Sequence, residues 1–292
     1  MVSGKHLQRE FMLFILLSAF ILLLELAGGL FTNSLSLLGD AGHVFVDLLA
    51  LLLAYFSMWL SQKKAGREFT FGYHRAEIVA TIANGLILLL ITAYIFYESY
   101  IRLISPPPVK GPEMLAIALI GLFANAYVLF RMRHFAEKSI TVKGAYLHVL
   151  SDALTSVAVV LSGLLIIYTG NYVFDPVAGA LIGLFILGGS LRLLRDSLRI
   201  IMEASPRGID LEAVSADISG ISGVKDVHDL HVWTITSGFF ALTAHVLVDA
   251  ESTRDMNRIV AEIKKMLRKK YSITHAVIQA ECPTCIDTEH PH

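Results

Sequence analysis

One spacing occurs twice in this sequence: His43-x-x-x-Asp47 and His148-x-x-x-Asp152. Residues four apart on an α-helix project from one face with Cβ atoms about 5–6 Å apart, so each pair can offer two ligands to one ion. Two such pairs on facing helices would supply two imidazole nitrogens and two carboxylate oxygens, a complete tetrahedral shell of the kind Zn²⁺ accepts. The two aspartates would also neutralise the ion. Metal binding needs neutral imidazole and ionised carboxylate, while an empty pair of carboxylates away from water would hold protons. Metal and protons therefore compete for the same atoms, and a site that opens to alternate sides would exchange one for the other.

A duplicated pair is poorly explained as ordinary helix-to-helix hydrogen bonding. The single polar residues Glu25, Asn84, Glu98 and Asn125 are more simply read that way. Asp40, three residues before His43, suits a helix-end, packing or pathway role equally. The cysteines Cys282 and Cys285 are the chain's only two, which excludes a disulfide framework and leaves a Cys-x-x-Cys tail to redox or metal chemistry. With His290 and His292 nearby, the tail has soft ligands suited to Zn²⁺. It supplies two ligands of four, so a His, a strand or a partner protomer must complete a site. A thioredoxin-like role would want the motif at a helix start, and Pro283 argues against it; inert reduced thiols remain the other reading.

The elements that must hold these residues follow from hydropathy. Of 292 residues, 55% are hydrophobic and 17% charged, whereas soluble domains carry about 45–50% and about 25%. The excess lies in six runs, each near the roughly 20 apolar residues a helix needs to cross hydrocarbon. They are Phe11–Phe31, Leu35–Leu60, Ile78–Ile104, Met114–Arg131, Ala145–Tyr168 and Val173–Leu194. The first lacks a cleavage site and is read as a retained span. Lys5, Arg9, Lys63, Lys64, Arg67, Arg131, Arg133, Lys138, Lys143, Arg192, Arg195, Arg199 and Arg207 fall on one side of the six spans. By the positive-inside rule both termini are cytoplasmic. The histidine–aspartate pairs on helices two and five then share the central depth, where an ionisable residue asks for a functional reason. Gly179-x-x-x-Gly183 reads as close packing inside the bundle.

Beyond Asp210 the pattern becomes that of a small α+β unit in the order α-β-β-α-β: a helix over Leu211–Ile221, a hairpin of Val224–Thr236 and Phe239–Asp249 about Ser237-Gly238, an amphipathic helix Arg254–Lys270, and a strand His275–Glu281. The predicted domains are residues 1–204 in the membrane and 205–292 in the cytoplasm. A net charge of −1 gives no field for nucleic acid.

With these residues in place, the sequence resembles the cation diffusion facilitators. Leu38-Gly39-Asp40-Ala41-Gly42-His43-Val44-Phe45-Val46-Asp47 is similar to their second-helix signature, Phe71-Gly72-Tyr73-His74-Arg75-Ala76-Glu77 to the segment entering helix three, and His148-Val149-Leu150-Ser151-Asp152 to the fifth-helix motif. Val227-His228-Asp229-Leu230-His231-Val232-Trp233 is similar to the start of their C-terminal domain. The resemblance covers nearly the whole chain in order. It implies a homodimeric exporter that exchanges cytoplasmic Zn²⁺ or a similar divalent ion for protons, with a cytoplasmic domain of metallochaperone-like, ferredoxin-like fold. His at the first position of both pairs is similar to the zinc-preferring branch. The long histidine-rich loop of some relatives is absent between helices four and five, where only His134 stands. The resemblance also points to His228, His245 and Glu281 as metal ligands of the cytoplasmic domain, with Gln279 where some relatives carry a further His. His231 is expected to pack beside Trp233, and Arg75 either to pair with Glu203 or to serve as a plain positive-inside charge.

An intramembrane zinc hydrolase is the chief rival, but a catalytic zinc keeps an open position for water, and four protein ligands leave none. A pure sensor would not need six spans, and a passive channel would not need to strip the ion's water. No enzymatic cofactor is implied; Zn²⁺ is cargo and, in the cytoplasmic domain, a candidate regulatory ligand.

Overall fold

A computed structural model describes residues 4–63, 66–136, 140–249 and 252–281. Six long helices come first: α1 Gly4–Thr32, α2 Leu35–Ser61, α3 Ala76–Ile104, α4 Gly111–Ala136, α5 Ile140–Thr169 and α6 Phe174–Ile201. All six are long and apolar enough to cross a membrane. Leu23, Leu30, Leu90, Ile104 and Phe123 stand well exposed on their outer faces, a surface suited to lipid and not to water. Asn33, in a left-handed conformation, stops α1, and the prolines following Ser105 stop α3. Most helices run a turn or more past the apolar runs, as where α6 continues through Arg195 and Arg199 to Ile201. Arginines interrupt hydropathy without interrupting helix propensity.

The chain divides into two compact units, residues 1–56 with 80–194, and residues 57–79 with 195–292. In the first, Leu37, Ile95, Met114, Val159, Ile166 and Ile182 form the core. Gly179 and Gly183 pack α6 closely against its neighbours: a Cβ at Gly179 would sit 3.2 Å from Leu35, and one at Gly183 would sit 3.1 Å from Phe96. The start of α2 is held by Asp175 of α6. One carboxylate oxygen accepts from the Ser34 and Ser36 hydroxyls, both at 2.7 Å, and from the Ser36 amide at 3.1 Å; the other accepts from the Leu35 amide at 2.7 Å. Arg102 pairs with Glu98 at 2.8 Å and reaches the Asn33 carbonyl at 2.7 Å.

In the second unit α7 (Leu211–Ser219), β1 (Val224–Thr236), β2 (Phe239–Val248), α8 (Thr253–Tyr271) and β3 (Ile273–Glu281) follow in the expected order. The sheet runs β1-β2-β3, with β1 antiparallel to β2 and β3 parallel to it. The hairpin turns at Ser237 and Gly238, the latter at φ 72°, a conformation glycine adopts without steric cost. Helix α8 crosses over between the parallel strands and buries Ile259, Ile263 and Leu267 against Ile218, Leu242 and Ile273. Its first turn is capped by Ser252, which accepts from the Asp255 amide, as N-cap serines do.

Candidate metal sites in the two units

Helices α2 and α5 approach each other where His43 and Asp47 meet Asp152. His43 Nε2 lies 3.7 Å from Asp47 Oδ2 on its own helix and 3.6 Å from Asp152 Oδ1 on α5. Ligand atoms about 2.0–2.2 Å from a shared tetrahedral zinc are about 3.3–3.6 Å apart, so the three are already near coordination spacing, and one atom from each lies within 4.8 Å of the others. His148 stands on α5 one turn before Asp152; its side chain lies outside those the structure describes. The edge of the His43 ring meets Phe185 of α6 at 6.2 Å between centroids. Asp40 takes no helix-end role. It accepts from Thr155 Oγ1 at 2.6 Å and Ser156 Oγ at 3.0 Å, and Asn125 reaches Ser156 at 3.5 Å, the inter-helix bonding expected of it.

The sheet of the second unit builds the other cluster from three adjacent strands. His228 on β1 is directly opposite His245 on β2, and His245 is opposite Gln279 on β3. Buried Glu281 reaches back between the rings, 2.7 Å from His245 Nδ1 and 3.3 Å from His228 Nε2. Gln279 donates to Glu281 at 3.1 Å, so it orients a ligand candidate where a further His would have been one. These two imidazoles and a carboxylate form a ligand set zinc accepts, with a fourth position to fill.

A residue that spacing did not single out, Asp229, joins them. A register shift between His228 and His231 puts Asp229 at φ 50° and brings its carboxylate to 3.6 Å from His245 and 2.8 Å from His231. Asp in the left-handed region is several-fold enriched over most residues, but nothing in the strand's alternation announces a bulge there. His231 therefore departs from the packing role expected beside Trp233: it is 56% exposed and bonded to Asp229. Cys282 and Cys285 lie outside the described residues.

The segment entering α3 meets the rest of this unit closely. Arg75 pairs with Glu203 at 2.6 Å, Glu77 accepts from the Thr236 and Ser237 hydroxyls, and His74 and Phe71 make edge contacts with Phe239 and His275. Glu77 and Asp175 were not legible as contacts, since their partners are 159 and 141 positions away.

Residues 11–202 match the model of the cation efflux transmembrane domain, and residues 206–282 that of the cation efflux protein cytoplasmic domain. The chain is 40% identical over 271 residues to the cadmium, cobalt and zinc/H(+)-K(+) antiporter of Bacillus subtilis, covering 92% of this chain and 86% of that one. It is 38% identical over 278 residues to the metal cation efflux system protein CzcD of Cupriavidus metallidurans, covering 95% and 88%. Against the zinc transporter ZitB of Escherichia coli it is 35% identical over 266 residues, covering 90% and 84%. A solved structure of the metal-bound C-terminal domain of the CzcD transporter aligns with 25% of this chain and 99% of that one at 44% identity, with a TM-score of 0.23. A six-helix membrane unit joined to an α+β domain, matched along its length by metal-cation transporters, defines a class of metal-cation transporter, not an enzyme. The chain belongs to the cation efflux family.

Proposed function

We propose that this protein exports Zn²⁺, and to a lesser extent similar divalent ions, from the cytoplasm in exchange for a monovalent cation, chiefly the proton, through a site formed by His43, Asp47, His148 and Asp152. The observation that carries the reading is the approach of His43 to carboxylates from its own helix and from α5, at 3.7 and 3.6 Å. Two nitrogen and two oxygen donors match zinc and disfavour the all-oxygen cages of harder divalent ions. The metal and protons compete for these atoms, so a cycle that alternates access returns protons as it releases zinc. The relative from B. subtilis is named as an antiporter of zinc against protons and potassium, which agrees with a counter-cation.

The charge distribution along the loops supports N- and C-termini in the cytoplasm. The family's cytoplasmic-domain match supports a homodimer, and the approach of Glu281 to both imidazoles supports metal binding at His228, His245 and Glu281. Cys282, which directly follows Glu281, and Cys285, three residues further on, would add thiolates.

The test is zinc flux into proteoliposomes under an imposed pH gradient, wild type against Asp152→Ala. Gradient-driven uptake that disappears in the variant is expected. Uptake that survives the substitution would remove Asp152 from the site, and uptake indifferent to the gradient would remove proton coupling.

A further inference from the structure

Beside the metal ligands stands a set of oxygen-bearing side chains that the metal shell does not use. Glu25 of α1, Asp40 of α2, Asn125 of α4, and Thr155 and Ser156 of α5 are 1%, 1%, 7%, 5% and 1% exposed. The hydroxyls of Thr155 and Ser156 donate to Asp40, at 2.6 and 3.0 Å. Asn125 Nδ2 lies 3.5 Å from Ser156 Oγ. Glu25 fills a notch in α4: a Cβ on Gly121 would lie 2.7 Å from its Oε1, while its Oε2 is buried with no hydrogen-bond partner. Gly121 and Asn125 are one helical turn apart, so Glu25 comes alongside the Asn125–Ser156–Asp40 string. Asp40 and Asp152 are near enough to act on it electrostatically. Among the described residues, no Lys or Arg pairs with Glu25, Asp40 or Asp152, and His43 approaches Asp152 alone of the three.

Buried carboxylates without a cation are costly at any depth in a bilayer, and one of these, Glu25, has a buried oxygen with no hydrogen-bond partner. The donors are carboxylate, hydroxyl and amide, with no imidazole or thiol, a hard set that suits a proton or an alkali ion over zinc. We infer that Glu25, Asp40, Asn125 and Ser156 form a second cation site, which takes the monovalent counter-ion on atoms separate from those that hold the divalent ion. The inference rests on the exchange reading above and deepens it. Thr155, whose hydroxyl lies 2.6 Å from Asp40 and 2.8 Å from the backbone carbonyl of Asp152, stands between the two sites. A divalent ion on Asp152 then disfavours the counter-ion nearby through charge, in addition to competition for shared atoms.

The experiment compares two rates for full-length protein in proteoliposomes: tracer zinc exchange with equal zinc on both sides, and net zinc flux driven by a proton gradient or, in a separate arm, by a potassium gradient. Glu25→Gln keeps the side chain's size and removes its charge. It is expected to lower the ratio of net flux to tracer exchange by about tenfold, within the usual range of coupling between sites, in the arm whose ion the site carries. Ser156→Ala is expected to lower the same ratio by a smaller factor. A ratio unchanged in both variants, whether because neither rate moves or because both fall in step, would overturn the second site. Wild-type flux indifferent to both gradients would overturn the exchange reading and the site with it. If instead Asp152→Ala kept both rates while Glu25→Gln lowered the ratio, the divalent-site assignment would fail and the second site would stand.

Discussion

Glu281, buried at 4% exposure, shows how much one side chain contributes to a candidate site. Its two oxygens face His245 and His228, and Gln279 holds one of them in place. Glu281→Gln is expected to weaken zinc binding in the second unit by at least the roughly 10–100-fold that loss of a supporting partner costs at metal sites. Hydrogen exchange of the full chain with and without zinc reads this as lost zinc-dependent protection across β1, β2 and β3. In wild type that protection should fade as pH drops, because protons compete for the imidazoles. Protection equal in variant and wild type would remove Glu281 from the ligand set. The membrane pair His43 and Asp47 was legible because helical spacing alone places them together. Asp229 was not, because its reach depends on a strand bulge, and His231 was misjudged for the same reason.

At the scale of elements, hydropathy located all six spans, but it closed some of them early. It follows transfer from water to lipid, whereas helix ends follow backbone hydrogen bonding and capping. The cap on α2 comes from a distant helix. Every group around Asp175 is a donor: the Ser34 and Ser36 hydroxyls and the Leu35 and Ser36 amides. Asp175→Asn would turn an N–H toward donors already in place, so it is expected to destabilise the membrane unit by about 2–4 kcal/mol, the range for lost charged hydrogen bonds with unsatisfied partners. Thermal unfolding in detergent measures this, and a variant as stable as wild type would show the cap to be dispensable.

In the second unit, Asp217 of α7 accepts from Lys270 and Tyr271 of α8. These hydrogen bonds, the Lys270 one foremost, hold its carboxyl below the usual carboxylate range. A lowered folded pKa gives stability that is present above the unfolded value and lost as pH falls through the folded one. Asp217→Asn should therefore increase exchange at the α7–α8 contact at neutral pH, with the difference from wild type closing only under strongly acidic conditions. A pH-independent difference would point to packing as the cause.

On the scale of the whole molecule, the contacts that sequence spacing left open are those that join the start of α3 and the end of α6 to the sheet. Arg75 immediately precedes α3 and Glu203 lies two residues beyond α6, while Glu77 in the first turn of α3 receives the hydroxyls of the β1–β2 turn. The start of α3 and the end of α6 thus belong to the same compact unit as His228, His245 and Glu281. The Arg75–Glu203 pair is 43% and 57% exposed, and such surface pairs contribute about 0–1 kcal/mol. Its removal should accordingly cost little stability. If the pair transmits the position of the sheet to α3 and α6, then Arg75→Glu will slow net zinc flux severalfold while unfolding temperature and zinc binding stay close to wild type, and adding Glu203→Arg will restore the flux by reinstating the pair with reversed charges. Parallel measurements of flux, unfolding and zinc titration on the two single variants and the double variant separate the cases. Losses in the single variants that add in the double one would mean that each charge acts alone, as part of the positive-inside pattern or at the helix ends, and that the pair does not connect the units' motions.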